Sequence, residues 1–478
     1  MFLNFLPLLP IGLVLCFAAM RFWGTAILGV LLWAMVEGAA RKWLLPEFQS
    51  QVLFVKDFIL IFAYIGYFMS RDGVVRLGQK SATLAFLLLI EAVFCSMQLI
   101  NPNSPSMLLS ILGLKNYLIY LPLAFIVPDI ITDRIKLRRL LLRACYIAIP
   151  ISLLGLYQFS QPPASWVNQY VSHEEGVEAT VSLFGQQEGD GDFKLGRART
   201  SSTFSYIGGY MTFLLLAVPL GASLLLAAVP KRRTMLIVTA ALALSIAGAA
   251  TTGSRTPMVV YALSLPLLLL LSGWKGLLPI VLAVRLAAGG AVVGLLTVAV
   301  FGNAFSALEY RANTADSTVK RLMSPVTETL SAFETSPIIG TGLGTNSNAA
   351  SILLGSDYMW WLDGNLYELE TARVMQELGF MGFMFVFLPK LFTIVLIFSF
   401  LRQSKSRLTI ATYMTALVFV LVHLILFTVN NPTGGLMYWA IVGVAIAAYR
   451  IERAERLMAE ESAHYIDYGV VNGELSLG

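Results

Sequence analysis

One arginine stands where two long apolar segments meet. Arg255 lies between Ser254 and Thr256 in "TTGSRTPMVV", residues 251–260. Arginine forms forked hydrogen bonds to phosphate oxygens, and Pro257 is typical of a first helical turn, whose free N–H groups favour an anion. The stretch therefore predicts a site for a phosphate or pyrophosphate, with Ser254 as a further donor. The alternative is an arginine that only marks the end of a membrane span and extends its head group to the surface.

A second group of residues that could do chemistry lies in "GNLYELETARVMQELGFMGF", residues 364–383. Glu370, Arg373 and Glu377 are spaced i, i+3 and i+7, so they share one face of a predicted helix, whereas Glu368 lies on another face. Glu368 or Glu370 could act as a general base that Arg373 orients. The alternative is an ion pair within the helix that carries a helix end through the headgroup region. Both interpretations stay open for Glu370, and the ion pair is favoured for Glu377.

Composition indicates what kind of scaffold positions these residues. Hydrophobic residues make up 57% of the 478 residues and charged residues only 13%, where a soluble domain carries about 25% charge. Apolar stretches long enough to cross a bilayer as helices recur along the chain. We therefore predict an all-α fold, a polytopic membrane helix bundle of about 12–14 transmembrane helices with two long outer loops.

Polar stretches divide the predicted spans into groups. The expected order is N-terminal transmembrane helices at 1–159, a first outer loop at 160–206, central transmembrane helices at 207–301, a large outer loop with short helices at 302–371, C-terminal transmembrane helices at 372–450 and a cytoplasmic tail at 451–478. In the large loop, Ser324 and Pro325 predict a helix start. Val326, Leu330 and Phe333 form one apolar face, so this loop is expected to fold back onto the membrane surface.

Lysine and arginine positions predict the orientation. They gather in connections on one side of the alternating map, at 70–80, 132–139, 230–233, 401–407 and 449–456. By the positive-inside rule that side is cytoplasmic. Other cations then map to the outer face, where topology does not require them: Arg41, Lys42, Lys56, Lys115, Arg197, Arg199, Arg255, Arg311, Lys320, Arg321 and Arg373. Of these, Arg41 and Lys42 are candidates for holding a lipid headgroup or pyrophosphate, whereas a local ion pair or a role as interface anchors is favoured for Lys56 and Asp57.

Several other kinds of site are not expected. His173, His423 and His464 are too scattered for a metal centre or a catalytic triad, so neither a metal nor a cofactor is predicted. No basic patch interleaved with aromatics indicates a nucleic-acid partner. The three cysteines lie in apolar segments and predict no disulfide framework. The run "GTGLGTN" at 340–346 favours a tight turn over a nucleotide site.

Four short motifs, taken in order, give a family resemblance. They are "RTSSTFSYIGGYMTFLL" at 199–215, "TTGSRTPMVV" at 251–260, "FETSPIIGTGLGTN" at 333–346 and "ELGFMGF" at 377–383. Together they resemble the bacterial O-antigen ligase and O-antigen polymerase superfamily, over roughly residues 195–400. The resemblance implies an all-helical glycosyltransferase of the cytoplasmic membrane that works without a nucleotide sugar and usually without metal.

Such an enzyme takes a glycan from undecaprenyl pyrophosphate and joins it to an acceptor sugar hydroxyl on the outer, periplasmic face. The implied partners are the lipid-linked glycan, an acceptor glycan and the lipid bilayer, while a chain-length regulator stays an open question. By the same resemblance, Arg255 would stabilise the pyrophosphate leaving group as negative charge builds on it. Arg197 or Arg199 would assist.

One departure from the family pattern concerns the base. Many members carry His-Asn shortly before the Glu-Leu-Gly segment, but this late loop contains no histidine, and the position nine residues before Glu377 is Glu368. A carboxylate in place of the imidazole favours a polymerase of repeat units over a ligase that moves finished glycan to lipid A or another acceptor. A transporter or flippase for lipid-linked sugars is the alternative from a different class. It is disfavoured because the polar residues gather in two loops on one face.

Overall fold

The computed structural model describes residues 9–70, 78–163, 165–168, 198–228, 231–254, 256–278, 318–347, 350, 353–355, 367 and 369–474. Across these ranges the regular structure is helical, without a β-strand. The helices are α1 (Leu9–Arg21), α2 (Trp23–Ala39), α3 (Gln49–Ser70), α4 (Gln79–Met97), α5 (Met107–Leu118), α6 (Leu123–Ile130), α7 (Arg134–Ser160), α8 (Ile207–Ala227), α9 (Arg232–Thr251), α10 (Thr256–Trp274), α11 (Thr318–Thr335), α12 (Glu370–Gln403), α13 (Arg407–Val422) and α14 (Pro432–Glu474).

The lengths and composition of these helices make the chain a multi-pass helical membrane protein. In the described ranges nine helices are long and apolar enough to cross a bilayer. Helices α5 and α6 pass the same test as a pair bent by 43°, and α1 and α13 are shorter apolar helices. The last part of the predicted central transmembrane helices, residues 279–301, lies outside the described residues, so the total of 12–14 spans stays a prediction.

Two helices form the centre of the bundle. In their spanning windows, 78% of the α8 residues and 89% of the α14 residues are buried inside the protein. A helix that is apolar on all sides can be enclosed in this way by its neighbours. The surrounding helices have 28–50% of their windows buried and present the rest of their surface outward, where a bilayer would cover it.

One end of the bundle collects the basic connections. Lys275 Nζ, after α10, donates to the Ser404 carbonyl at 2.7 Å, in the turn between α12 and α13. Arg456 of α14 donates to the carbonyl of Gln403 at 2.8 Å. Arg450, also on α14, pairs with Asp129 of α6 at 2.8 Å. We call this the basic end.

The opposite end holds the connections at 198–206, 252–254, 336–347 and 423–431, together with the start of α12, and is called the loop end. The backbone N–H of Ala39, at the end of α2, donates to Thr203 O at 2.7 Å. Gln98 Nε2, after α4, donates to Ile339 O at 3.1 Å. Alternate helix ends therefore meet at opposite ends of the bundle, as expected for a chain that crosses a membrane repeatedly.

Helix α12 folds back on itself near the loop end. Glu370 Oε1 and Lys390 Nζ are 2.8 Å apart although 20 residues separate them, whereas a straight helix would separate such positions by about 30 Å. The break is at Gly379, with φ 66° and ψ −174°. The segment 370–378 therefore runs back along the helix that follows Gly379.

Helix α11 begins earlier than the sequence predicts. It starts at Thr318, so Ser324 and Pro325 lie inside the helix and do not begin it. The start signal is local, whereas α11 packs along the first part of α12, and tertiary packing commonly outweighs such local preferences. The apolar face expected at Val326, Leu330 and Phe333 is present on this longer helix.

Candidate functional site

A polar segment at 199–205 connects three spans at the loop end. The backbone N–H of Ser202 donates to Gln158 Oε1 of α7 at 2.8 Å, and its hydroxyl donates to Ile151 O at 2.6 Å. The backbone N–H of Thr200 donates to Thr251 O of α9 at 3.1 Å. These bonds satisfy buried polar groups that lipid could not satisfy, and they hold the segment in one conformation.

Two sequence-predicted cations meet this segment. Lys42 Nζ donates to Ser201 Oγ at 2.5 Å, and Arg41 donates through its NH1 group to Ser205 Oγ at 2.8 Å. Both cations are only 4% exposed. They lie in a single π-helical turn, Ala40–Leu44, that continues α2. Such turns are rare and are frequent at functional sites.

The Arg41 guanidinium has unused hydrogen-bonding capacity. It stacks over the Tyr206 ring at 5.9 Å, but its buried Nε has no hydrogen-bond partner among the described residues. A buried donor without a partner costs about 1–3 kcal/mol. A bound anion at this position would supply the missing acceptor.

The connection between α9 and α10 lies beside the same segment. Arg199 Nε donates to the carbonyl of Thr252 at 3.0 Å. Ser254 Oγ contacts Met211 Sδ at 3.5 Å, a weak bond that a phosphate oxygen could replace. Gly253 has φ 64°, which favours glycine. Arg255 follows Ser254 directly but lies outside the described residues, as does Arg197.

Glu370 is enclosed on all sides. Its Oε1 accepts from Lys390 Nζ at 2.8 Å and from the Thr428 hydroxyl at 2.7 Å, and its Oε2 accepts from the backbone N–H groups of Thr428, Val429 and Asn430. The residue is 1% exposed. A general base needs a lone pair free to face its substrate. This geometry therefore favours a structural role for Glu370 over the role of general base that the sequence suggested.

Arg373 does not orient Glu370 in the way the sequence suggested. Its Nε donates to Tyr367 O at 2.7 Å and its NH1 donates to Asn346 O at 3.1 Å. Its guanidinium lies 5.6 Å from the centre of the Phe427 ring. Arg373 therefore joins three connections of the loop end and fixes the residue that precedes Glu368. Glu368 itself lies outside the described residues.

Glu377 accepts hydrogen bonds from the glycine-containing turn at 340–346. Its carboxylate accepts from Tyr117 Oη at 2.7 Å and from the Asn346 backbone N–H at 2.8 Å. The fold-back at Gly379 leaves the Glu377 carbonyl free to accept from Gly342 N at 2.9 Å. Residues 340–346 form turns, with positive φ at their three glycines. Glu377 thus bonds across helices, and the favoured ion pair within its own helix is replaced by neutral donors.

Sequence reasoning missed two buried ionisable residues inside spans. Lys390 is the partner of Glu370, and Glu91 of α4 lies within electrostatic range of Lys390. Glu91 Oε2 is buried and has no hydrogen-bond partner in the described ranges. The sequence could have indicated both Lys390 and Glu91, because an ionisable residue within an apolar run is rare and tends to be paired or functional.

Lys56 and Asp57 each form an ion pair, not with one another but with a residue of another helix. Lys56 Nζ lies 2.6 Å from Glu37 of α2, and Asp57 lies 2.6 Å from Lys115 Nζ of α5. These pairs tie α2, α3 and α5 together beneath the Arg41 turn. Lys56 and Lys115 therefore serve the scaffold and are not free to bind an anion.

The two groups of site residues lie at the same end of the bundle and are bridged. Asn431 Nδ2, three residues after Thr428, donates to Thr212 Oγ1 of α8 at 3.1 Å. The start of α8 follows the 199–205 segment directly. No cluster of three histidine, cysteine, aspartate or glutamate side chains suited to a metal occurs in the part of the chain that the structure describes.

No model of a protein family matches the chain, and no curated protein matches it significantly. The functional assignment therefore rests on the residues of the loop end and on the four sequence motifs.

Proposed function

We propose that the chain is a membrane glycosyltransferase that polymerises lipid-linked oligosaccharide repeat units of an O-antigen or exopolysaccharide. In this reaction an acceptor sugar hydroxyl attacks the anomeric carbon of a glycan carried on undecaprenyl pyrophosphate. The bond from that carbon to the pyrophosphate oxygen breaks, and the carrier leaves with the added negative charge. A base takes the proton of the hydroxyl.

One observation carries the proposal. Arg41, Lys42 and Arg199 gather on the 199–205 segment, beside the connection that contains Arg255. Several buried or half-buried cations at one end of the bundle, with an Arg41 Nε that has no partner among the described residues, suit a diphosphate, because charge-assisted hydrogen bonds to phosphate oxygens are strong and directional. They would stabilise the leaving group as its charge increases.

Glu368 is the proposed base. Its neighbours on both sides are anchored, since Tyr367 O accepts from Arg373 and the Leu369 N–H donates to Glu328 of α11. Anchored neighbours would hold a carboxylate at a fixed place near the acceptor. Glu370, Lys390 and Arg373 are then positioning residues that shape the loop end.

The proposed orientation places the loop end outside and the basic end in the cytoplasm. It rests on the positive-inside rule, because Lys275, Arg402, Lys405 and Arg450 lie at the basic end. The membrane is then the bacterial cytoplasmic membrane, and the site faces the periplasm or exterior. The finer topology, about 12–14 spans with two long outer loops at 160–206 and 302–371, belongs to the same proposal.

Glycan products from a deletion strain test the function. Loss of a polymerase leaves surface glycan of single repeat units, and reintroducing the gene restores long chains on a gel. Loss of a ligase, the alternative within the same enzyme class, leaves full-length glycan on the lipid carrier. Wild-type glycan lengths in the deletion strain would rule out both enzymes.

Buried ionisable residues inside the bundle support one candidate from another class, a transporter of lipid-linked sugars. The Lys390–Glu370 pair and Glu91 lie among apolar helices, and such residues mark ion or substrate pathways in many transporters. Leaflet-specific labelling separates the two classes. A deletion that traps lipid-linked repeats on the inner leaflet favours the transporter, whereas their accumulation on the outer leaflet favours the enzyme.

A further inference from the structure

Helix α11 carries three distinct faces. Ala332 is fully buried against α12, and Thr329 Oγ1 donates to Thr371 Oγ1 of α12 at 2.8 Å. Thr327 and Glu334 are exposed on a second, polar face, which borders the third face along Met323 and Leu330. The third face carries only large apolar side chains, at Met323, Val326, Leu330 and Phe333. This third face is called the apolar strip.

The apolar strip is not covered by the described protein. Its four side chains are 52–56% exposed. Their spacing of three, four and three residues keeps them on one side of the helix. Burying one such side chain stabilises a structure by about 1.5–3 kcal/mol, so an uncovered strip of four favours an apolar surrounding over water.

The strip continues into the outward surface of α12. The Phe333 ring contacts the Phe380 ring edge to face at 5.7 Å. Phe380 is itself 52% exposed and begins the apolar run that crosses the membrane, followed on the outward side by Met384, Leu388 and Leu391. The strip is therefore contiguous with the surface that a spanning helix presents to acyl chains.

We propose that α11 lies in the outer leaflet of the bilayer with its apolar strip among the acyl chains. The bilayer then holds the segment that flanks Glu368, because the packed face of α11 bonds to it. Leu369 N donates to Glu328 Oε2 at 3.2 Å, and the Tyr367 hydroxyl lies 3.0 Å from Thr335 Oγ1. A helix of this kind, apolar on one side and polar on another, lies at a membrane interface. The choice of the outer leaflet rests on the proposed orientation, whereas the burial of the strip among acyl chains is independent of the proposed reaction.

Site-directed fluorescence tests the placement. The three native cysteines, Cys16, Cys95 and Cys145, are replaced by alanine, and single cysteines are introduced by Val326→Cys, Leu330→Cys and Phe333→Cys. The matched controls on the same helix are Thr327→Cys and Glu334→Cys. Each variant carries a nitrobenzoxadiazole label and is reconstituted into phosphatidylcholine vesicles that contain a nitroxide lipid, while iodide serves as the aqueous quencher.

The labels at 326, 330 and 333 are expected to show blue-shifted emission, strong quenching by the nitroxide lipid and loss of iodide quenching relative to both controls. Iodide quenching equal to that of the controls would mean that the strip faces water. Quenching by neither agent would mean that another part of the chain or a second copy covers it. Either result overturns the proposal, and the elution profile of each variant checks that it is folded.

Discussion

Lys390 Nζ and Glu370 Oε1 lie 2.8 Å apart, with side-chain exposures of 3% and 1%. The pair closes the fold-back of α12 and also fixes the connection after α13, because Glu370 accepts three backbone N–H groups from residues 428–430. A buried carboxylate with a cation and several donors has all its hydrogen bonds satisfied. Removing either charged partner, however, leaves the other as an uncompensated buried charge. The fold-back of α12 and the connection at 428–430 therefore both depend on this one ion pair.

Removing one member of the pair is expected to destabilise the protein strongly. Lys390→Met or Glu370→Gln leaves the other group buried without its partner, and breaking a buried ion pair costs about 3–5 kcal/mol. The double variant is expected to recover part of this loss, because groups in contact are not additive. The measurement is the temperature at which half of the detergent-solubilised protein loses its monodisperse elution peak.

Lys405→Met is the control for this prediction, since Lys405 is exposed at the basic end, where substitutions usually change stability by less than about 0.5 kcal/mol. Single variants at 370 and 390 that lose no more stability than this control would show that the pair is not important. A double variant whose loss equals the sum of the two single losses would show that the residues do not interact.

A second prediction concerns Gly379. Gly379→Ala requires an L side chain at φ 66°, and the added Cβ would overlap the carbonyl oxygen of Ile338, so we expect a loss of at least about 1–3 kcal/mol. Gly29→Ala in α2 is the matched control, because a Cβ there meets nothing within 4 Å and alanine favours a helix. Equal elution midpoints for the two variants after heating would contradict the fold-back.

The sequence predicts the class of fold well and the internal contacts poorly. Apolar runs and basic connections indicate the spans and the two ends of the bundle, because lipid imposes a simple length and composition on each helix. The fold-back of α12 could not be predicted from the sequence, because "ELGFMGF" is compatible with one continuous helix entering the membrane. The contact between Glu370 and Lys390, 20 residues apart, and the non-helical backbone at Gly379 show that the helix turns back.

In the candidate site, too, the residues could be predicted from the sequence but their contacts could not. Residue types alone single out Arg41, Lys42 and Arg199 as cations on an unexpected side of the membrane. Their convergence depends on contacts across long stretches of chain, such as Lys42 with Ser201, 159 residues away. Single-sequence patterns carry no information on such pairs. The sequence therefore predicts residues 199–205 as part of an outer loop and of a family motif, but it does not predict that they join three spans.

A third prediction tests the orientation by cysteine labelling. With the native cysteines replaced by alanine, Trp166→Cys and Glu334→Cys at the loop end should react with a membrane-impermeant maleimide added to intact cells. Arg138→Cys and Lys405→Cys at the basic end should react only after the membrane is opened. All four positions are exposed, so access depends on the side of the membrane alone. The reverse pattern would place the basic end outside and contradict the positive-inside assignment.

The most direct test of the central claim is glycan transfer by the purified protein in proteoliposomes that contain an undecaprenyl-pyrophosphate-linked repeat unit as both donor and acceptor. Arg255→Ala and Arg41→Ala should each lower the rate by about 10- to 150-fold, the equivalent of one lost hydrogen bond to a charged group. Arg232→Ala, exposed at the basic end, should keep the wild-type rate. Wild-type rates in the Arg255 and Arg41 variants, or an equal loss in the Arg232 variant, would contradict a pyrophosphate site at the loop end.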